Sequence, residues 1–253
     1  MAEHTSPLDS ISIVLVRPRV AENIGAAARV AYNMGINQLI LVSTSEPARK
    51  PMAKMATHKA AHLIDNLLIF PTLEEALSDF SIVVGTTARR GRHRFVEQTV
   101  REMVDKLIPQ ISNNTVAILF GPEDAGLTND DLKFCHMTSA IPTADFSSLN
   151  LAQAVAIHCY ELHYAIIHAQ KDLTPSPELA TTFELESMYN HLEESLTRVN
   201  FMDKVSHNHW MSNVRNLLGR LQLTAKDANI IRGISKKFNQ YQQSKNGSSG
   251  DHP

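Results

Sequence analysis

The chain has 253 residues, enough for one large domain or for a domain with a smaller appendage. Hydrophobic residues make up 43% and charged residues 20%, which is ordinary globular usage and excludes a wholly disordered protein. Lys and Arg number 24 against 26 Asp and Glu, and the net charge is −2. This balance excludes a protein that attracts nucleic acid through its overall charge, so any RNA or DNA binding must come from local basic patches.

Two cysteines, Cys135 and Cys159, form neither a disulfide framework nor a CxxC zinc pair, which indicates a reducing compartment. The first ten residues lack the basic and apolar regions of a secretory signal. No uninterrupted apolar stretch approaches the length that spans a bilayer. We therefore expect a soluble, cytoplasmic protein without a membrane partner.

Apolar, β-branched runs of strand length alternate with helical patterns over residues 11 to about 168. The predicted strands are Ile11 to Val16, Leu39 to Val42, Ser81 to Gly85 and Val116 to Phe120. The helical patterns cover Ile24 to Met34, Ala53 to Leu67, Leu73 to Leu77, Val96 to Ile108 and Ser148 to His168. Continuous apolar strands separated by helices predict an α/β domain whose parallel sheet is buried on both faces.

Beyond residue 168 the periodicity is only helical. Two prolines, Pro175 and Pro177, predict an extended linker over residues 169–182. Apolar stripes predict helices around 185–199 and 214–221, and Thr224 with Asp227 predicts a capping box that begins a third helix, running to about Tyr241. We expect residues 1–168 to form the first domain, 183–243 a small all-helical domain and 244–253 an unstructured tail.

The loop after the fourth predicted strand begins at Gly121 and has nearly the glycine spacing of a phosphate-binding loop. Leu127 stands where such a loop needs its lysine, and Glu123 and Asp124 would repel a polyphosphate. The loop therefore argues against a nucleoside triphosphatase, and the lack of GxGxxG after any predicted strand leaves a standard dinucleotide site unsupported. Taken alone, it is equally consistent with a strand-to-helix turn capped by Thr128.

Three polar or small residues, Asn23, Gly25 and Arg29, follow the first predicted strand. We expect Asn23 to cap the next helix and Gly25 to allow a close backbone approach. Arg29 is predicted on the opening turns of that helix, facing the strand ends where open α/β sheets bind ligands. The alternative for Arg29 is an ordinary surface arginine.

Three segments in order resemble a known family. They read NIGAAAR, FGPEDAGLT and IPTADFSSLNLAQAVAI, and they are similar to motifs one, two and three of the SpoU or TrmH-type RNA 2′-O-ribose methyltransferases in the SPOUT superfamily. The resemblance covers residues 11 to about 168. The longer third motif, with SHNHW, NLLGRL and IIRGI near the C-terminus, most resembles the TrmJ branch of that family.

The resemblance implies an α/β fold of SPOUT type with a C-terminal trefoil knot, an obligate homodimer and S-adenosyl-L-methionine as methyl donor, with no metal. It implies 2′-O-ribose methylation of tRNA in the anticodon loop, at a cytidine or uridine in position 32. The alternatives are a catalytically inactive RNA-binding protein of the same fold, 2′-O-methylation of rRNA, and a methyl-donor enzyme that acts on small molecules.

The resemblance also implies two sets of site residues. By motif position, the catalytic or substrate-positioning set is Asn23, Arg29, Glu123, Ser148 and Asn150. The residues implied to hold S-adenosyl-L-methionine are Thr86, Thr87, Ala88, Gly121, Ile141, Ser148, Leu149 and Asn150.

Methyl transfer to a ribose hydroxyl requires that the hydroxyl be positioned and lose its proton. A guanidinium has no lone pair to accept that proton at neutral pH, so we expect Arg29 to stabilise charge on the ribose oxygen and to bind an RNA phosphate. Asn23 and Ser148 would orient the hydroxyl or Arg29. Glu123 would position its own loop or an arginine, and whether it acts as a base is open.

A basic cluster in this otherwise acidic chain predicts contact with RNA phosphates. Its members are Arg89, Arg90, Arg92 and Arg94. Further basic residues that would extend this track are Arg215, Arg220, Arg232, Lys236 and Lys237.

For the histidines and the single tryptophan we expect structural roles and no part in catalysis. His207 and His209 lack an evident third ligand, so we expect no metal site. His158, His163 and His168 recur every five residues and do not share a helix face, which predicts packing or surface roles. Trp210 is expected to lie in the interior or to anchor a dimer, and the alternative is stacking on an RNA base.

Overall fold

The computed structural model describes residues 6–88, 98–145, 149–169, 176–201 and 207–247. Five predicted site residues lie outside these ranges: Arg89, Arg90, Arg92, Arg94 and Ser148. The chain divides into two compact units, Met1–Pro177 and Glu178–Pro253. The domain limits that the sequence predicts, with a linker at 169–182, stay a prediction.

The first unit is built on a seven-stranded sheet. Its strands are β1 (Ile11–Val16), β2 (Gln38–Val42), β3 (Leu68–Phe70), β4 (Ile82–Thr86), β5 (Gln98–Thr99), β6 (Val116–Phe120) and β7 (Met137–Ala140). They lie in the spatial order β3-β2-β1-β6-β4-β7-β5, and every pair is parallel. Each residue of β1 and β6 is buried, which confirms the predicted parallel sheet covered on both faces.

Three of these strands were missed from the sequence: β3, β5 and β7. Two of them, β5 and β7, lack the apolar run that marks a buried strand. In β7 the buried side chains include the polar Thr138 and Ser139, and β5 has only two residues. Both strands exist because β7 pairs with β4 on one side and with β5 on the other.

Helices pack on the faces of the sheet. They are α1 (Ala21–Asn33), α2 (Arg49–Asp65), α3 (Leu73–Leu77), α4 (Val100–Leu107), α5 (Asn129–Leu132) and α6 (Leu151–His168), with short 3-10 helices at Pro7–Ser10 and Ile108–Gln110. Four capping boxes fix ends in this unit, including Thr99 with Glu102 at α4 and Thr128 with Asp131 at α5. The α4 capping box places the helix start at Val100, later than the predicted start at Val96.

Helix α1 begins earlier than predicted. Its N-cap is Val20, whose side chain has no group to accept a hydrogen bond, and Asn23 lies inside the first turn. The prediction that Asn23 caps the helix is therefore wrong. The predicted close approach at Gly25 is confirmed, since a Cβ there would lie 2.0 Å from the Met52 carbonyl oxygen of α2.

Helix α2 contains a break at Thr57. This residue has φ 61° and ψ 173° between two helical halves. The conformation is open to glycine and strained for a β-branched residue. The predicted single helix over 53–67 is thus two helical segments, joined at this one residue.

Two residues in the middle of the predicted linker, Ser176 and Pro177, are attached to the first unit. The Asn113 side chain donates to the Ser176 carbonyl at 2.7 Å, and Asn114 Nδ2 donates to the Pro177 carbonyl at 3.0 Å. The Ser176 hydroxyl donates to the Gln110 carbonyl at 3.0 Å. Ser176 and Pro177 therefore belong to the first unit as structure.

The second unit is helical in its described residues. It contains α7 (Thr182–Arg198), α8 (His207–Leu218), a 3-10 turn at Gly219–Leu221 and α9 (Ala225–Gly247). Its core is formed by Ala180, Leu185, Met188, Tyr189, Met211 and Ala228. Thr224 Oγ1 donates to Asp227 at 2.6 Å and the Asp227 amide donates back to Thr224, as the predicted capping box requires. Helix α9 continues past its predicted end near Tyr241 to Gly247, so residues 244–247, which were expected in the unstructured tail, are helical.

One member of the predicted basic track, Arg215, forms an ion pair within the second unit. Arg215 binds Glu186 through both guanidinium branches, the second at 2.7 Å, and its side chain is 16% exposed. The Arg215 guanidinium also lies 4.3 Å from the Tyr189 ring centre. This partly buried pair joins α7 to α8, and the contact of Arg215 with RNA phosphate stays a prediction.

Within the ranges that the structure describes, no helix is both long and apolar enough to cross a bilayer.

Candidate active site

A cavity of about 240 Å³ lies where β4, β6 and β7 end. Parallel strands bring their carboxyl ends to one edge of a sheet, and the loops that follow them meet there. The cavity is lined by the segment after β4, the loop after β6, strand β7 with its following residues, and the first turns of α6. The lining residues are Thr86, Thr87, Ala88, Phe120, Gly121, Pro122, Glu123, Asp124, Ala125, Gly126, Leu127, Ser139, Ile141, Leu149, Leu151, Ala154 and His158.

Six of the residues implied to hold a methyl donor line this cavity. They are Thr86, Thr87, Ala88, Gly121, Ile141 and Leu149. Asn150 is outside the lining and caps α6, where its side-chain oxygen accepts from the Ala152 amide at 2.8 Å. Ser148 lies outside the described residues.

Glycine gives the loop after β6 its shape. A Cβ at Gly121 would lie 2.3 Å from the Gly126 carbonyl carbon and from the Leu127 nitrogen, so only glycine allows the loop to fold back on itself. Gly126 has φ 67°, the left-handed region that glycine enters without strain. The backbone of this loop therefore approaches the cavity closely.

The Glu123 carboxylate fills the uncapped N-terminus of α1. It accepts hydrogen bonds from the Arg19 amide at 2.9 Å, from the Val20 amide at 3.3 Å and from Asn23 Nδ2 at 2.8 Å. Burial acts to raise the pKa of Glu123, but these hydrogen bonds hold it below its usual value. A residue 103 positions away thus accepts the N-cap amide of α1, as the glutamate of a capping box does.

The Asn23 side chain links Glu123 to the start of α6. Its Oδ1 accepts from Asn150 Nδ2 at 3.0 Å, while its side-chain Nδ2 donates to Glu123. The chain Glu123–Asn23–Asn150 therefore joins the loop after β6, the start of α1 and the start of α6. It brings together three of the five residues implied as catalytic or substrate-positioning.

Arg29 stands apart from that chain. It is the ninth residue of α1 and is exposed, about 9 Å along the helix from Asn23 at 1.5 Å per residue. The expectation that it lies on the opening turns is wrong, because α1 starts at Ala21. Among the described residues, none forms a hydrogen bond or ion pair with Arg29. Its guanidinium is thus open to an anion.

Two ion pairs that sequence reasoning missed tie the loop after β1 to the region after β6. Arg17 pairs with Asp131 at 2.5 Å and Arg19 pairs with Asp124 at 2.8 Å. Burial acts to raise the pKa of Asp131, and bonds from Arg17 and Thr128 bring it below the usual value. A pairing over more than one hundred positions leaves no local pattern by which it could be recognised.

His158 is a cavity residue that the sequence placed among packing or surface residues. It is 1% exposed, and burial lowers its pKa to about 4. Its Nδ1 lies 2.9 Å from the Ala154 carbonyl and must carry the proton, so Nε2 accepts from the Ser139 hydroxyl at 3.0 Å. The Phe120 ring meets the imidazole edge to face at 5.2 Å. His158 is therefore a neutral, fully hydrogen-bonded part of the wall.

Both cysteines are buried, and His209 is hydrogen-bonded on its own helix. Cys135 and Cys159 are free and buried, and burial raises the pKa of both, that of Cys159 to about 12. His209 Nε2 accepts from Asn213 Nδ2 at 3.2 Å. In the described part of the chain, no three His, Cys, Asp or Glu side chains converge as metal ligands would.

Trp210 differs from its predicted interior position. It is 40% exposed and packs against the Phe201 ring at 5.2 Å. The interior placement is wrong for the single chain, whereas a role as a dimer anchor stays a prediction.

The sequence matches two family models along its length. Residues 10–160, which contain every segment of the cavity wall, match the SpoU rRNA Methylase family. The chain belongs to this family. Residues 183–248 of this SpoU methylase match a second model, the C-terminal domain of tRNA methyltransferase TrmJ.

Relatives of this SpoU methylase cover nearly all of the chain. The tRNA (cytidine/uridine/adenosine-2′-O-)-methyltransferase TrmJ of Pseudomonas aeruginosa is 39% identical over 240 residues, 90% of this chain and 93% of the relative. The tRNA (cytidine/uridine-2′-O-)-methyltransferase TrmJ of Salmonella typhimurium is 35% identical over 245 residues, 94% and 100% of the two chains. The crystal structure of TrmJ from Z. mobilis has a TM-score of 0.78 at 31% identity and covers 90% and 98%.

Proposed function

We propose that this SpoU methylase transfers the methyl group of S-adenosyl-L-methionine to a ribose 2′-hydroxyl of tRNA. The observation that carries the proposal is the meeting of two residue sets at one edge of the sheet. Six of the residues implied to hold the donor line the cavity, and the Glu123–Asn23–Asn150 chain begins on its wall. The relatives named above are tRNA 2′-O-methyltransferases, which favours tRNA over rRNA.

The cavity suits this donor in shape and charge. S-adenosyl-L-methionine supplies an electrophilic methyl group on a positively charged sulfur. Phe120, Leu127 and Leu151 offer apolar surface for its adenine. The wall also carries the carboxylates of Glu123 and Asp124, the second of which is paired with Arg19. The same carboxylates disfavour a nucleotide polyphosphate. Thr86 to Ala88, Gly121, Ile141 and the 148–150 turn would hold the donor.

Glu123 acts in this proposal by positioning. Its carboxylate already accepts three hydrogen bonds, and its pKa below the usual value makes it a weak base. Arg29 supplies positive charge for the ribose oxygen and grips an RNA phosphate, since its guanidinium has no partner in the described residues. Ser148 and Asn23 orient the hydroxyl or Arg29.

RNA binding in this proposal uses basic side chains in both units. The cluster Arg89, Arg90, Arg92 and Arg94 follows Ala88 of the cavity wall along the chain. In the second unit Arg220, Lys236 and Lys237 are exposed. The modified nucleotide is a cytidine or uridine of the anticodon loop.

The finer architecture completes the proposal: a C-terminal trefoil knot, a homodimer, a small helical C-terminal domain and a cytoplasmic location. The insertion of β7 between β4 and β5, and the packing of α6 against both α1 and α4, support a knotted crossing.

Tyr160, Tyr164 and Ile167 expose apolar surface on α6, which supports burial against a second copy. Two buried free thiols agree with a reducing compartment.

The test compares substrates. Purified protein is incubated with S-adenosyl-L-methionine labelled in the methyl group and with either unmodified tRNA or fragmented rRNA. We expect label in tRNA, at a nucleotide whose 3′ bond becomes resistant to alkaline hydrolysis, because that reaction needs a free 2′-hydroxyl. Label only in rRNA would select the rRNA alternative. Donor binding without transfer to either RNA would favour the inactive RNA-binding protein.

A further inference from the structure

One buried imidazole touches three parts of the cavity wall. His158 lies on α6, and its ring contacts Phe120 at the end of β6 and Ser139 on β7. All three residues line the cavity. The imidazole thus lies where two strand ends and one helix meet.

The two ring nitrogens have fixed and different roles. The Ala154 carbonyl accepts only, so His158 Nδ1 donates to it at 2.9 Å. The unprotonated Nε2 then accepts the Ser139 hydroxyl proton at 3.0 Å. The Ser139 contact is buried and the Ala154 contact is partly buried, and leaving the Ser139 hydroxyl unpaired is costly in such a setting. The imidazole therefore fixes Ser139 relative to α6.

Ser139 in turn holds the segment after β4. Its carbonyl accepts from the Thr87 amide at 2.9 Å, and its neighbour across the strand pair is Thr86. Thr86 Oγ1 donates to the Leu119 carbonyl of β6 at 2.8 Å. A shift of Ser139 would reach Thr86 and Thr87, two residues of the cavity wall.

We propose that His158 is a positioning residue for the methyl donor: through Ser139 and Phe120 it sets the cavity wall formed by Thr86, Thr87 and the end of β6. This inference rests on the proposed function, since the cavity is taken as the donor site. Because His158 orders the cavity wall before the methyl donor binds, donor binding does not bear the entropy cost of ordering it.

Removing the imidazole should weaken donor binding. His158→Leu keeps an apolar side chain but leaves the Ser139 hydroxyl without its acceptor. We expect the Kd for S-adenosyl-L-methionine, measured by calorimetry on the full chain, to rise on the order of tenfold, which equals about 1.4 kcal/mol. In steady-state transfer to tRNA, the donor KM should rise similarly while kcat stays within about twofold.

Conservative and coupled variants separate positioning from mere packing. His158→Gln retains a donor and an acceptor, and it should recover most of the lost affinity. Ser139→Ala removes the other partner and should weaken binding similarly. The double variant should lose no more than the worse single variant, because both changes break the same contact.

The matched control is His168→Leu. His168 lies on the same helix and its Nδ1 bonds the Tyr164 carbonyl at 2.8 Å, but it is exposed and outside the cavity. Its substitution should leave the donor Kd unchanged. Thermal unfolding of each variant identifies the temperature at which every protein is folded, and affinities are measured below it.

These measurements distinguish failure of the positioning role from failure of the proposed function. Parent-like donor affinity in both His158→Leu and Ser139→Ala would overturn the positioning role, even if their melting temperatures fell. Additive losses in the double variant would overturn the coupling. If the parent itself fails to bind S-adenosyl-L-methionine, the proposed function fails. If His158→Leu does not fold, Ser139→Ala and His158→Gln decide the question.

Discussion

At the scale of single residues, Glu123 shows how a distant side chain completes a helix. Three donors from the loop before α1 and from its first turn converge on one carboxylate. The positive end of α1 and these three donors favour a full negative charge there. Glu123 therefore orders the start of α1 and the cavity loop together.

Replacing that carboxylate tests its role. Glu123→Gln puts an NH2 group among three donors, so at least one amide must lose its acceptor. We expect a loss of about 1–3 kcal/mol in the free energy of unfolding and a fall in methyl transfer. Urea unfolding measures the first quantity. Asp124→Asn, beside it but pairing only at the surface with Arg19, is the control and should change stability by less than about 1 kcal/mol.

The buried imidazole of His158 predicts a pH dependence of stability. Its pKa is about 4 in the folded protein against an ordinary value of 6.5, because burial disfavours the charged form. Between these values the unfolded chain binds a proton that the folded protein does not, so stability falls as pH drops from 6.5 to about 4. The gap corresponds to about 3 kcal/mol, and above pH 6.5 this contribution is constant.

The measurement compares parent and His158→Gln by urea unfolding at pH 7.5 and near pH 4.5. Other titrating groups cancel in the difference, so the stability advantage of the parent should shrink at the lower pH. His168→Gln serves as the control. An equal advantage at both pH values would show that His158 does not carry this dependence.

At the scale of secondary structure, the break in α2 lowers the stability of the folded protein. Thr57 holds φ 61° and ψ 173°, a conformation that costs roughly 1–3 kcal/mol for a residue with a Cβ. Thr57→Gly should therefore raise the free energy of unfolding by about 1 kcal/mol. Ala61→Gly in the regular part of α2 should lower it by about 0.5–1 kcal/mol. Chemical denaturation of both variants decides, and a destabilised Thr57→Gly would contradict the account.

Local patterns explain which elements could be predicted. β6 is an uninterrupted apolar run and β1 is apolar except for Ser12, and this pattern is typical of parallel strands buried on both faces. β7 could not be recognised, because Thr138 and Ser139 are buried through hydrogen bonds that only the folded sheet supplies. The start of α1 was misplaced for a related reason, since its cap, Glu123, comes from another loop.

In the candidate site too, residues within sequence motifs could be predicted, whereas residues that depend on distant partners could not. The family resemblance implied Gly121, Ile141 and Leu149 as donor-binding residues, and these three line the cavity. It did not identify His158, whose role depends on partners in β6 and β7. Nor did it identify Arg17 and Arg19, whose acidic partners lie more than one hundred positions away.

At the scale of the whole molecule, exposed apolar surface on α6 predicts self-association. Tyr160, Tyr164 and Ile167 are 51%, 46% and 59% exposed. We expect sedimentation to give the mass of two chains at micromolar concentration, and Ile167→Glu to weaken that dimer. Leu221→Glu, equally exposed at 59% in the second unit, is the matched control. A monomer at every concentration would contradict the dimer.

The central claim is methyl transfer to a tRNA ribose beside this cavity, with Arg29 stabilising the reacting oxygen. Single-turnover transfer of labelled methyl from S-adenosyl-L-methionine to tRNA, with donor affinity measured separately, tests it most directly. The account predicts 2′-O-methylated tRNA from the parent, and a loss on the order of a hundredfold in Arg29→Ala with donor affinity retained. Arg29→Lys should rescue poorly, because a point charge cannot span a phosphate and a ribose oxygen. Arg49→Ala, on α2, should stay within a few-fold of the parent. Transfer by Arg29→Ala close to the parent rate, or methyl label on a base instead of a ribose, would contradict the account.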